Sequence, residues 1–132
     1  MKKLLITLIL ILISTSAMAE WTFVGGDNQL QAYADLSSLC KTDNGVKMWI
    51  LHDYNTVQNA TGDRVLSEKS LDEYNCEYKQ RRTLTFFRFN ENMGNGRLIY
   101  SSEEESDWDS VRPNSMDDFL YKAACGQTNV YC

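Results

Sequence analysis

Three features of the sequence predict an α+β fold, with about six antiparallel strands, one C-terminal α-helix and disulfide staples. Short runs of β-branched and aromatic residues alternate with turn clusters between Trp21 and Ser101. Beyond Pro113 the hydrophobic period changes from two to that of a helix. All four cysteines lie in the part of the chain that follows an export signal.

The signal comes first. Lys2 and Lys3 form a positive n-region, Leu4 to Ile13 is an apolar run, and Ser16-Ala17-Met18-Ala19 ends in a small-x-small pattern, so cleavage is expected after Ala19. The apolar run spans ten residues, half of the roughly 20 that a membrane-spanning helix needs. Residue 20 is Glu, where a lipid-anchored protein would need Cys. The expectation is residues 1–19 removed and residues 20–132 as one domain, exported to the periplasm or beyond and not lipid-anchored.

The strands follow in order. Trp21 to Val24 reads as the first, with its exit at Gly25-Gly26-Asp27-Asn28. Gln29 to Asp35 alternates as the second, and Leu36 to Leu39 reads as a loop or one helical turn. Asn44-Gly45 supplies a hairpin turn with positive φ, leading to a third strand over Val46 to Tyr54. Asn55 to Asp63 is polar and reads as a loop, and Arg64 to Glu68 is a weaker fourth strand leading toward Tyr74 and Cys76. Tyr78 to Phe89 is the longest β run, and Arg97 to Ser101 completes a hairpin with it across Asn90 to Gly96. The helix then begins after Asn114-Ser115, with Asp117 and Asp118 favourably placed in its first turn. Met116, Phe119, Leu120 and Ala123 share a face, and Gly126 stands where a left-handed cap would end it.

Side-chain alternation puts Cys76, Tyr78, Leu84 and Phe86 on one face of the long strand and Phe87 and Phe89 on the other. Four cysteines allow three pairings. A thiol on the Leu84/Phe86 face suits Cys125 near the end of an amphipathic helix, so Cys76–Cys125 is expected, leaving Cys40–Cys132. Each link is worth on the order of 4 kcal/mol by loop entropy. A domain of this size buries only roughly 65% of its unfolded surface, so such links matter. Both faces of the sheet carry apolar residues, and one helix covers one face. Either the sheet curls or a bulge near Phe86 shifts the alternation, or the second face is a contact surface.

Composition removes several functions. The chain has 13 Lys+Arg against 18 Asp+Glu, and loss of the leader removes two lysines and no acid, taking the net charge from −5 to −7. That offers no basic field to nucleic acid. His52 is the single histidine, and its strand neighbour Asp53 points to the opposite face, so the two form no oriented dyad. The cysteines are committed to bridges, and no serine sits in a G-x-S-x-G elbow. No Cys pair or acidic loop has metal-ligand spacing, and Gly94-x-Gly96 is a turn, not a dinucleotide fingerprint. No catalytic residue, cofactor or metal is expected.

Binding signals are stronger. The chain carries 3 Trp, 7 Tyr and 5 Phe, all after the leader. Arg81, Arg82 and Arg88 form a basic strip that can meet an acidic ligand or the chain's own run Glu103, Glu104, Glu105, Asp107 and Asp109. Phe87, Phe89, Arg81, Glu103, Glu104 and Glu105 are the candidate partner contacts.

Trp21, Tyr33-x-Asp35, Met48-Trp49-x-Leu51-x-Asp53-Tyr54, Glu73-Tyr74-Asn75-Cys76, Arg82-x-Leu84, Met93-Gly94-x-Gly96, Trp108, Arg112-Pro113-x-Ser115 and Cys125 follow one another in an order that resembles the surface-adhesin E family of exported Gram-negative proteins. The resemblance implies a six-stranded sheet with the helix on its concave face, a helix-to-sheet disulfide, a dimer, and adhesion to host matrix glycoproteins such as vitronectin and laminin. Cys40 and Cys132 stand outside its usual bridge. The expected function is that of a noncatalytic adhesin-like binding protein with a protein partner. The alternative is a periplasmic modulator or inhibitor of an envelope enzyme such as lysozyme, its acidic loop fitting a basic cleft.

Overall fold

A computed structural model describes residues 20–59, 62–127 and 130–132; the leader read at 1–19 lies outside the described residues. Strands β1 (Thr22–Gly26), β2 (Leu30–Lys41), β3 (Val46–Gln58), β4 (Val65–Asn75), β5 (Gln80–Phe89) and β6 (Leu98–Ser102) lie side by side in sequence order, each antiparallel to the next. A two-residue strand, β7 (Asp109–Ser110), adds to the edge of β5 beyond β6. Helix α1 (Met116–Cys125) follows. The sheet does not close on itself; it is open, with the helix against one face.

Three strands outrun their sequence signals, each for a local reason. β2 continues past Asp35 through an irregular stretch in which side chains replace the ladder: Ser37 N donates to Asp35 Oδ1 at 3.1 Å, and Trp49 N donates to Ser38 Oγ at 2.9 Å. β3 runs on to Gln58 instead of stopping at Tyr54, its register shifting after Asp53 while Asn55 N reaches Gln29 O at 2.8 Å. β4 is the largest difference. Its Ser67, Glu68, Lys69, Ser70, Asp72 and Glu73 hide a central strand paired on both sides, whose neighbours satisfy Ser67, Glu68, Asp72 and Glu73.

β5 begins two residues later than its aromatic pattern suggests. Asn75 Oδ1 accepts from Glu77 N and Tyr78 N at 3.1 and 3.0 Å, holding Cys76 and Tyr78 in a turn outside the strand. A bulge at Leu84 shifts the β5 alternation: Leu71 pairs Thr85 while Asp72 pairs Thr83. Arg81 and Thr83, not Leu84, therefore share a face with Phe86. The β2–β3 turn is also not the positive-φ hairpin expected of Asn-Gly. Gly45 is extended, with φ 159°, and its requirement is space, since a Cβ there would lie 1.9 Å from the Tyr74 carbonyl oxygen.

Ser115 caps α1, its Oγ accepting from Asp118 N at 3.2 Å. Gly126 ends the helix in a right-handed conformation, φ −77° and ψ −9°, not the left-handed one read from the sequence, with its N–H on Lys122 O. Met116, Leu120 and Ala124 face the sheet; Phe119 sits at the rim, where Gly25 leaves it room. Their partners are Ala32, Ala34, Leu39, Val46, Met48, Ile50 and Tyr74. Small alanines on β2 let the helix lie close. Two bridges fasten the assembly: Cys76–Cys125 joins the turn after β4 to the helix end, and Cys40–Cys132 ties the C-terminus to β2.

Candidate functional site

The face of the sheet away from the helix carries the alternate residues: Phe23 of β1, Tyr33 of β2, Trp49 and Leu51 of β3, Leu71 of β4, Phe87 and Phe89 of β5. They form a band across five strands. The Phe23 and Tyr33 rings meet edge-on at 5.6 Å, Trp49 and Phe87 stack at 6.1 Å, and Lys69 Nζ stands 5.3 Å from the Phe89 ring centre. Phe23 is 58% exposed and Leu98, at the β6 edge, 48%. An antiparallel sheet that faced water on this side would alternate polar residues here.

Two segments frame the band. The first is the connection Asn90 to Gly96, which contains a short 3₁₀ turn at Asn92–Gly94 and lies against β3 and β4. Asp53 Oδ1 accepts from Met93 N at 2.7 Å and Asn92 Nδ2 at 3.0 Å; Ser67 Oγ donates to Glu91 O at 2.6 Å and accepts from Gly94 N at 2.8 Å. Gly94 adopts φ +71°, which glycine takes without strain, and a Cβ there would meet only the movable end of the Lys69 side chain.

The second frame is the acidic segment 103–108, strapped along β5. Ser106 N donates to Thr83 O and Thr83 N to Ser106 Oγ, both at 2.9 Å. Arg82 is the buckle: it donates to Glu73 Oε1 at 2.7 Å and Glu105 Oε2 at 3.2 Å, while its guanidinium lies 4.6 Å from the Trp108 ring centre. Glu103 and Glu104 are exposed and make no ion pair among the described residues.

The three arginines of the basic strip thus separate. Arg82 is on the open face; Arg81 and Arg88 are on the helix face, as the register with Tyr74 and Glu68 requires. Arg81 donates to Asp72 Oδ2 at 3.0 Å and reaches Asp117 at 3.5 Å, which fastens β5 and the helix rather than presenting a charge outward. Burial pushes the Asp72 carboxyl above its ordinary range, against the pull of Arg81 and of Thr83 Oγ1, which donates to it at 3.0 Å. Phe87 and Phe89 do share the open face, and Glu105 lies on the strap beside Arg82. Sequence reasoning missed Trp49, Trp108 and Asp53 as site residues, while Arg82 of the basic strip meets the chain's own acidic run at Glu105. Odd-numbered spacing with Leu51 was the available signal for Trp49; none existed for the Arg82–Trp108 contact, which joins residues far apart in sequence. His52 and Asp53 fall on opposite faces. Among the described residues no three His, Cys, Asp or Glu side chains converge as a metal site, and no helix is long and apolar enough to cross a membrane.

An open sheet with one helix latched by a disulfide, and an apolar face framed by polar segments, defines a small sheet-and-helix module. The chain belongs to the surface-adhesin protein E family, whose family model matches residues 21–126. Solved structures of Haemophilus influenzae protein E share the fold. One matches with a TM-score of 0.59 at 11% identity, covering 83% of this chain and 97% of that one. A second gives 0.58 at 13% identity, over 85% and 88%. Protein E from a non-typeable Haemophilus influenzae gives 0.52 at 15% identity, over 83% and 76%. No curated protein matches the chain.

Proposed function

We propose that the chain is a noncatalytic, exported, adhesin-like protein that engages a protein partner through the open face of its sheet. The leader ending at Ala19 and a single domain over 20–132 belong to this reading. So does the partner class, host matrix glycoproteins such as vitronectin and laminin, which the family membership supports. The observation that carries the proposal is the aromatic band from Phe23 to Phe89, which the helix does not cover and in which Phe23 is exposed and Trp49, Phe87 and Phe89 are half-buried, bordered by the Asp53 and Arg82 anchorages. A second copy of the chain is one occupant this face can take, which gives the homodimer.

Binding of the mature protein to immobilised matrix glycoproteins tests it. W49A and F87A each weaken binding by roughly 30-fold, as truncation of a central aromatic anchor does. E104Q leaves it unchanged, and all variants keep wild-type circular dichroism. Equal binding by wild type and W49A would remove the open face as the site. Protease accessibility on intact cells, with fractionation of periplasm and outer membrane, tests surface display.

The exposed pair Glu103 and Glu104 favours one second reading, an inhibitor of a basic envelope enzyme such as lysozyme. There E103Q/E104Q abolishes inhibition and W49A does not.

A further inference from the structure

Helix α1 packs on β1 to β4 and, beyond the Arg81–Asp117 ion pair at the start of β5, leaves the helix face around Phe86, Arg88 and Tyr100 to other side chains. There the side chains of Tyr54, Gln58, Val65, Phe86, Ile99 and Tyr100 line a half-open pocket of about 580 Å³ around the ion pair of Glu68 and Arg88. This volume falls within the roughly 300–1,000 Å³ of small-molecule sites.

The pair is held half-used. Arg88 Nε donates to Glu68 Oε2 at 2.9 Å, while the guanidinium lies 4.9 Å from the Phe86 ring centre and 5.8 Å from that of Tyr100. Its terminal nitrogens and the second oxygen of Glu68 have no hydrogen-bond partner among the described residues. The two aromatic rings flank the guanidinium and limit where its free fork can turn. Burial pushes the Tyr54 phenol up, the Glu68 charge adds to this and Arg88 opposes it, so the phenol stays a neutral donor.

A lone anion or cation gains little from such a site, because the second charge of the pair repels it. A ligand carrying both charges one carbon apart matches a cation and an anion in contact, and the aromatic walls select a large apolar body. We propose that this pocket binds a zwitterionic α-amino acid with an aromatic side chain, its carboxylate on Arg88, its ammonium on Glu68 and its ring among Phe86, Tyr100 and Ile99. This site is independent of the open face.

Isothermal titration calorimetry of the mature protein with L-phenylalanine and L-tryptophan tests it, beside N-acetyl-L-phenylalaninamide and 3-phenylpropionate, which keep the ring and remove both charges or the ammonium. Saturable binding with Kd below about 1 mM is expected. Both analogues should bind at least about tenfold more weakly, since each loses a charge-assisted contact. E68Q/R88Q should lose binding. Should that variant not fold, Tyr100→Ala, at an exposed edge position, should weaken binding at least about tenfold without unfolding the sheet. Absence of saturation, equal binding of the uncharged analogue, or amide shifts on the open face instead of β5 and β6 would overturn the assignment.

Discussion

Asp118 shows how a single buried carboxylate organises this molecule. Its Oδ2 accepts from Asn114 N at 2.9 Å, Lys122 stands 3.2 Å from it, and Lys79 reaches the other oxygen at 3.4 Å, so one side chain ties the pre-helix turn, the helix and the start of β5. The Asn114 amide, aided by the two lysines, holds its carboxyl below the usual aspartate range. A carboxylate depressed in the folded state adds stability that is fully present above the unfolded value of about 3.9 and is lost as pH falls through the lower folded value. D118N should therefore be less stable than wild type at pH 7, and the gap should shrink as urea titrations move from about pH 5 downward. A gap that stays constant over that window would show the effect is not the charge. Tyr74 gives the opposite expectation. Its hydroxyl is fully buried and has no partner among the described residues, while its ring meets Tyr121 edge-on at 6.2 Å. Tyr74→Phe keeps the ring and removes the unsatisfied group, so its melting temperature should equal or exceed wild type. Neither residue's role was legible in the sequence: Asp118 read as a first-turn acid, and Tyr74 as a residue beyond the weak fourth strand. What decides them is burial by α1, which brings residues together across the fold.

At the scale of the element, legibility tracked the side-chain pattern. The centre of β3, with Met48 and Ile50 opposite Trp49 and Leu51, and the helix behind Ser115 follow directly from spacing. β4 did not, because a central strand can be polar when its neighbours answer each group. Glu73 is answered by Arg82, Asp72 by Arg81 and Thr83, Glu68 by Arg88, and Ser67 by the 90–96 connection. Its strand signal was read as weak and as ending at Glu68 for the same reason. The β2–β3 hairpin makes the related point for backbones. Gly45 lies so close to β4 that any side chain meets the Tyr74 carbonyl, a rigid backbone atom that has no room to yield. Gly45→Ala should cost at least about 2 kcal/mol, read as a fall in the urea midpoint at unchanged m-value. Asn44→Ala, beside it on the exposed turn, serves as the control and should change little.

For the molecule as a whole, the sheet is a meander whose strands β1 to β6 pair only with sequence neighbours, while the helix must return across the chain to cover β1 and β2. That return is the long-range step, and the two bridges divide the labour of holding it. Cys76–Cys125 closes a loop of 49 residues and ends on the helix; Cys40–Cys132 closes 92 residues and ends on the C-terminal tail. Loop entropy assigns each about 4 to 5 kcal/mol, nearly equal. What they restrain differs. Releasing the first frees the helix from the turn after β4, and with it the cover over Met48, Ile50 and Ala34. Releasing the second frees a segment whose nearest contacts are Lys41 with Tyr131 and the Val130 packing. Under nonreducing conditions C76A/C125A and C40A/C132A should therefore lose similar stability in urea. Of the two, C76A/C125A should bind the apolar dye ANS well below its melting temperature and lose amide protection in α1 while retaining its far-ultraviolet β signal. Equal dye binding by the two variants would mean that packing of Leu120 and Ala124 alone keeps the helix seated. The aromatic band of the open face contains no bridge cysteine, so on the proposed reading it should keep its partner affinity in C40A/C132A, and that separation would place partner binding on the sheet and stability on the latch.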